Sequence, residues 1–107
     1  MPSESELEAL RKEIRDVTNE IIRLIGLRLS LAKKINEIKR SMDLPIIDYK
    51  VERELKRSVI DVCKKYNVDE SFGLRILNLL IEEAVKAQKS SVDKGKKAVS
   101  VIDMFDL

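Results

Sequence analysis

Residues 7–42, LEALRKEIRDVTNEIIRLIGLRLSLAKKINEIKRSM, decide the fold of this chain. Apolar side chains recur at Leu7, Leu10, Ile14, Val17, Ile21, Leu24, Leu31, Ile35, Ile38 and Met42. The intervals alternate between three and four, so the residues form a heptad seam along one long α-helix. The only interruption is Arg28, which falls where the seam requires an apolar residue. Between Ile21 and Ala32 the flanks are apolar too, through Ile22, Ile25, Leu27 and Leu29. A helix apolar on several faces has to be surrounded by other helices.

Ser3 or Ser5 can cap this helix, with Glu4, Glu6 and Glu8 near its positive end. A helix from about residue 5 to about residue 40 is roughly 50 Å long at ~1.5 Å rise per residue. Two shorter helices of the same chain cannot cover such a rod on every side, so association with a second copy is expected. Pro45 ends the helical run by opening a break from Ser41 to Ile47. A second helix is expected from about Asp48, with Val51, Leu55, Val59, Val62 and Tyr66 on one face and a stop at Asn67. Asp69 can cap a third helix that carries Leu74, Leu77, Leu80, Ile81, Ala84 and Val85 and fades between Lys89 and Ser91.

Composition supports an all-α chain. Of the 107 residues, 37% are charged and 4% aromatic, with two prolines and three glycines. Few helix breakers and abundant Leu, Ile, Glu, Lys and Arg favour long helices over a sheet. A net charge of +2 with interleaved signs argues against nucleic-acid binding, which normally needs a concentrated basic face. No apolar run is long enough to span a bilayer and no secretory leader is recognised, so a soluble, cytoplasmic protein is expected. Cys63 is the one cysteine and reads as a small core residue, because the chain has no histidine to activate it. The lack of histidine also excludes Ser-His-Asp and Cys-His sites and makes a typical zinc site hard to build. Neither metal nor cofactor is expected, and any chemistry must run on Arg, Lys, carboxylates and amides.

Arg28 is the first candidate. Its guanidinium stays charged and carries five donors, so it either pairs with a carboxylate from a neighbouring helix or grips an anion. Lys39 lies eleven residues on, on the same face and roughly 16 Å away along the helix. Two long cationic side chains converging from that separation leave room for a ligand about one ring across; alone, Lys39 reads as a solvated charge at a helix end. Asp48 and Glu52, four apart, present two carboxylates on one side of the second helix, as surface charge or as site residues. Gln88, the only glutamine, continues the stripe of Ile81, Ala84 and Val85 as a core amide or a ligand contact. Arg11 is seventeen residues from Arg28, about 100° around the helix and roughly 25 Å along it. It reaches the same pocket only from a second chain; otherwise it is an exposed helix charge.

These stretches, Leu7-Glu-Ala-Leu-Arg11-Lys-Glu-Ile14, Leu27-Arg28-Leu-Ser-Leu-Ala32, Ile38-Lys39, Pro45-Ile-Ile-Asp48-Tyr-Lys-Val-Glu52-Arg53 and Ile81-Glu-Glu-Ala-Val-Lys-Ala-Gln88, resemble the all-helical (type II) chorismate mutases. The resemblance covers about residues 5 to 90. It implies three helices per chain in an intertwined homodimeric bundle with two equivalent sites, rearranging chorismate to prephenate on the route to phenylalanine and tyrosine. It implies that Arg28, with Arg11 from the other subunit, binds the substrate's two carboxylates. Lys39 and Gln88 then hydrogen-bond the ether oxygen. Glu52 assists there only if protonated or otherwise hydrogen-bonded; with Asp48 it more readily holds the ring hydroxyl and positions Lys39. Ala84 lines the pocket.

Two positions depart from the pattern. Val51 stands where many relatives have arginine and Ala84 where they have serine, each removing a potential substrate contact, so activity is expected with weaker substrate binding or with a compensating contact from Lys50 or Arg53. Two other readings share the fold: an isochorismate pyruvate-lyase, against which the paired Asp48 and Glu52 speak, and a non-catalytic regulatory or scaffolding dimer. On this reading residues 1–91 form the mutase-like domain and 92–107 a tail. The tail has a polar hinge at Asp93–Lys97 and an apolar end at Ala98–Leu107, which packs on its own dimer or docks a protein partner.

Overall fold

The computed structural model of the chain describes residues 1–45 and 47–92, with side chains through Ala87 in the last helix. The expectations for the tail from Asp93 to Leu107 fall outside the described residues. Three helices follow in order: α1 (Glu4–Ser41), α2 (Tyr49–Tyr66) and α3 (Glu70–Val92). The described residues contain no strand. The all-α reading holds.

Local hydrogen bonding sets each boundary. Ser3 Oγ accepts the Glu6 N–H at 3.2 Å, satisfying one of the donors a helix leaves open at its start. At the other end, the Leu44 N–H donates to the Lys39 carbonyl at 2.8 Å and the Asp43 N–H to that of Arg40 at 3.2 Å. That pair of bonds, with Asp43 left-handed at φ 56°, is a Schellman motif. It ends α1 before Pro45, so the proline follows the stop and does not itself make it. Asp48 is the N-cap of α2, its side chain accepting from the N–H groups of Lys50 and Val51. Asn67, left-handed at φ 55°, closes α2, and the Val68 N–H returns to the Cys63 carbonyl at 2.9 Å. Asp69 then caps α3, accepting from the Phe72 N–H at 2.9 Å. The Ser71 hydroxyl donates to the same carboxylate oxygen at 2.6 Å. Together these donors hold the Asp69 carboxyl below the usual aspartate range, the Ser71 hydroxyl contributing most.

The chain divides into two compact units, Met1–Leu31 and Ala32–Leu107. The first is helix alone, and no residue of α1 is buried in either unit. Its seam is left open: from Leu7 to Met42 the ten seam residues are between 47% and 68% exposed. Of the flanking residues, Ile25 and Leu29 are half-buried, whereas Ile22 and Leu27 are exposed.

The second unit has its core between α2 and α3, which pack as a helical hairpin. Cys63, Leu77 and Val85 are its buried apolar residues, at 6%, 3% and 8% exposure. Cys63 is therefore a core residue, and Gly73 explains how it fits. A Cβ at Gly73 would overlap Cys63 Sγ, so the missing side chain is the notch that receives the sulfur. This contact also rotates α2 away from the apolar stripe expected from its sequence. Leu55 and Val59 face the core as expected, but Val51, Val62 and Tyr66 are 56%, 50% and 65% exposed. Glu52, Lys56 and Ile60 are half-buried instead. The small sulfur-to-glycine crossing lets α3 approach on the Cys63 side, one residue around the helix from the Val51 side.

Candidate active site

Seven side chains carry the site expected from the sequence. Lys39, Asp48, Glu52, Ala84 and Gln88 lie in the second compact unit, on the end of α1 and on α2 and α3. Arg11 and Arg28 belong to the first unit.

The Schellman motif sits directly on Lys39, whose carbonyl accepts the Leu44 N–H. The backbone that carries this ammonium is thus tied to the start of the loop, and a cation there suits the negative end of α1. Lys39 is half-buried, and so is Arg28. Both are more sheltered than the leucines and isoleucines of the seam, an inversion of the usual order in which charge is exposed and hydrocarbon hidden.

Asp48 has a definite structural task. Its Oδ1 accepts from Lys50 N at 3.0 Å and from Val51 N at 3.3 Å. The cap explains half of the Asp48–Glu52 pair without any ligand. Glu52 has no such task. It stands one turn into α2, where its N–H donates to the Asp48 carbonyl at 3.0 Å. Its side chain is only 14% exposed and pairs with Lys56 Nζ at 4.0 Å. A carboxylate so sheltered on a short helix with few buried residues is costly unless something polar meets it. Sequence reasoning had not singled out Lys56. The signal was present in the four-residue spacing from Glu52, but other Glu–cation pairs at helical spacing, Glu8–Arg11, Glu37–Arg40 and Glu54–Arg57 among them, look alike in the sequence.

Ala84 is half-buried and Gln88 lies one turn beyond it on the α3 backbone. Arg11 pairs with Glu8 at 3.8 Å, with side chains 62% and 68% exposed. Within one chain it is an exposed helix charge. Val51, where an arginine would give a further substrate contact, is exposed as well. Among the described residues no three His, Cys, Asp or Glu side chains gather as a metal would require, and no helix is long and apolar enough to cross a membrane.

Donors and one sheltered carboxylate, with no nucleophile–base pair among the described residues, suit binding and electrostatic stabilisation of an anion more than covalent catalysis. Comparison with known proteins gives the same direction. The family model for chorismate mutase type II matches residues 10–89. The chorismate mutase of Methanocaldococcus jannaschii is 38% identical over 88 residues, covering 82% of this chain and 89% of that protein. The bifunctional chorismate mutase/prephenate dehydratase of Buchnera aphidicola subsp. Schizaphis graminum is 33% identical over 94 residues, covering 88% of this chain and 24% of that protein. Its counterpart in Escherichia coli (strain K12) is 30% identical over 90 residues, covering 84% of this chain and 23% of that protein. The chain thus spans about a quarter of the bifunctional relatives and most of the monofunctional one. No solved structure matches. On the family match from residue 10 to residue 89 and its relative at 38% identity, this chain belongs to the chorismate mutase type II family.

Proposed function

We propose that the chain is a chorismate mutase, rearranging chorismate to prephenate in the cytoplasm as a homodimer, with residues 1–91 as the catalytic domain. The observation that carries this reading is the inversion of burial on α1. Arg28 and Lys39 are half-buried while the ten seam residues beside them stand 47–68% exposed. A second copy that covers the seam would remove this hydrocarbon from water and enclose the cations at the same time. Arg11, exposed within its own chain, would then serve the other subunit's pocket.

The chemistry asked of such a pocket is modest in kind. A unimolecular rearrangement needs no nucleophile, metal or proton shuttle. It needs the flexible dianion held in its compact, reactive conformer, which is an entropic contribution. It also needs fixed donors where charge develops as the C–O bond breaks. In this reading Arg28 and the other subunit's Arg11 take the two carboxylates. Lys39 and Gln88 donate to the ether oxygen. Glu52 and Asp48 hold the ring hydroxyl, Asp48 doing so beside its capping role, and Ala84 lines the wall.

The test is the loss of chorismate absorbance with purified protein, with the product identified. Wild type is expected to form prephenate, and Arg28→Ala to lose about 10²–10³ in turnover, the usual effect of one well-placed donor. Equal rates for the two proteins would refute the assignment. Release of pyruvate from isochorismate, without prephenate from chorismate, would assign the lyase reaction instead.

A further inference from the structure

The sheltered carboxylate of Glu52 has beside it on α2 an ammonium, that of Lys56, which is not among the seven expected site residues. We propose that Lys56 is a positioning residue of this site, compensating the charge of Glu52 so that a dianionic substrate is accepted beside it; the proposal rests on the mutase reading.

Lys56 follows Glu52 by four residues, which puts the two side chains on the same face of α2, in the favourable order of acid before base. Their separation is 4.0 Å, and Glu52 is 14% exposed against 40% for Lys56. The pair differs in kind from its neighbours in sequence. Glu8–Arg11, Glu20–Arg23 and Glu83–Lys86 join side chains that are each at least 52% exposed, where solvent screens the attraction. Glu52 is sheltered, so its charge acts over a longer range and would repel an incoming dianion. The 4.0 Å separation is an ion pair without a short hydrogen bond. Lys56 therefore offsets the charge of the carboxylate without occupying a lone pair that a ligand hydroxyl requires. Its own ammonium stays nearer solvent, at the outer end of the pair.

The exposure pattern of α2 supports the same assignment. The helix turns Val51, Val62 and Tyr66 outward and Glu52 and Lys56 to its sheltered side, against the preference of the side chains themselves. The Gly73–Cys63 crossing sets this face, and the charged pair on it stands where a polar ligand would be met.

The experiment uses the full chain and four variants, Lys56→Met, Lys56→Arg, Glu52→Gln and Glu52→Gln with Lys56→Met. Each is checked for folding by circular dichroism, then measured for chorismate turnover and, by calorimetry, for prephenate affinity. Lys56→Met is expected to raise KM and weaken prephenate binding about tenfold, as befits one partly shielded charge, with kcat within about twofold. Lys56→Arg is expected to restore wild-type values, since charge and reach are kept. In the Glu52→Gln background, removing Lys56 should no longer weaken prephenate binding, because no charge is left to offset. Wild-type KM in Lys56→Met, or the same penalty with Gln at 52 as with Glu, overturns the role of Lys56 and leaves the mutase reading standing. A wild-type protein that neither consumes chorismate nor binds prephenate overturns both.

Discussion

Replacing Gly73 by alanine tests the packing that orients α2. The new methyl would overlap Cys63 Sγ, while Val59 Cγ1 at 3.5 Å and Cys63 Cβ at 4.0 Å would be ordinary neighbours. The conflict is therefore with one atom. That atom belongs to a side chain only 6% exposed, so it has little room to rotate away. Overpacking of this kind costs about 1–3 kcal/mol. Alanine in place of glycine inside a helix returns about 1 kcal/mol. The net expectation is a loss of about 1 kcal/mol, a fall in Tm of roughly 4–8 °C for a domain of this size. Cys63→Ala alone removes the sulfur and leaves a small void, costing about 0.5–1.5 kcal/mol. The double variant puts the new methyl into that void and keeps the helix-propensity gain. It should therefore be more stable than Gly73→Ala alone, with a coupling of at least ~0.5 kcal/mol between the two sites. Urea unfolding followed by circular dichroism, at one fixed protein concentration because association shifts apparent stability, measures all four proteins. If Gly73→Ala matches or exceeds wild type and the two substitutions are additive, the sulfur-in-notch account of the crossing is wrong. The same crossing spaces Glu52 on α2 from Ala84 and Gln88 on α3, so Gly73→Ala should also lower kcat/KM for chorismate and the double variant should recover part of it.

Ile14 is 68% exposed within one chain, where a glutamate would be harmless. If the seam is a dimer interface, Ile14→Glu buries a charge there at a cost of several kcal/mol, and light scattering will show a monomer without turnover; a dimer of full activity would refute the interface. Asp69 caps α3 with its carboxyl held below the usual aspartate range, first by the Ser71 hydroxyl and then by the Phe72 N–H. A lowered folded-state value means the stabilisation is complete above the usual aspartate range and is lost as pH falls through the lowered one. Asp69→Ala is therefore expected to lower Tm at pH 7 and to differ less from wild type in strong acid. A difference that stays constant with pH would show that the cap does not depend on the charge.

Three helices, their order and nearly all their ends were legible from residue types alone. Ser3, Asp48, Asn67 and Asp69 act on backbone groups within a few residues of themselves, so their effect is already present in the local sequence. The seam on α1 was equally legible, because a 3.5-residue period is a property of spacing. Among the described residues that seam, from Leu7 to Met42, stands exposed. Cys63 as a core residue followed from the absence of histidine and held.

The Schellman stop at Asp43 and the inward face of α2 were not legible. The first depends on a left-handed backbone at an aspartate, where the sequence pointed to Pro45. The second depends on which part of α3 approaches α2, and hydrophobicity favoured the stripe through Val51, Val62 and Tyr66. Gly73 decides otherwise, because only a residue without Cβ lets α3 close over Cys63. That contact joins residues ten apart in the chain across a turn, and no periodicity within either helix encodes it. By itself, then, the sequence determined the helices, the open seam and the candidate polar residues. The tertiary structure alone turned Glu52 and Lys56 to the sheltered face of α2, since a face is chosen by what packs against it and not by the helix that owns it.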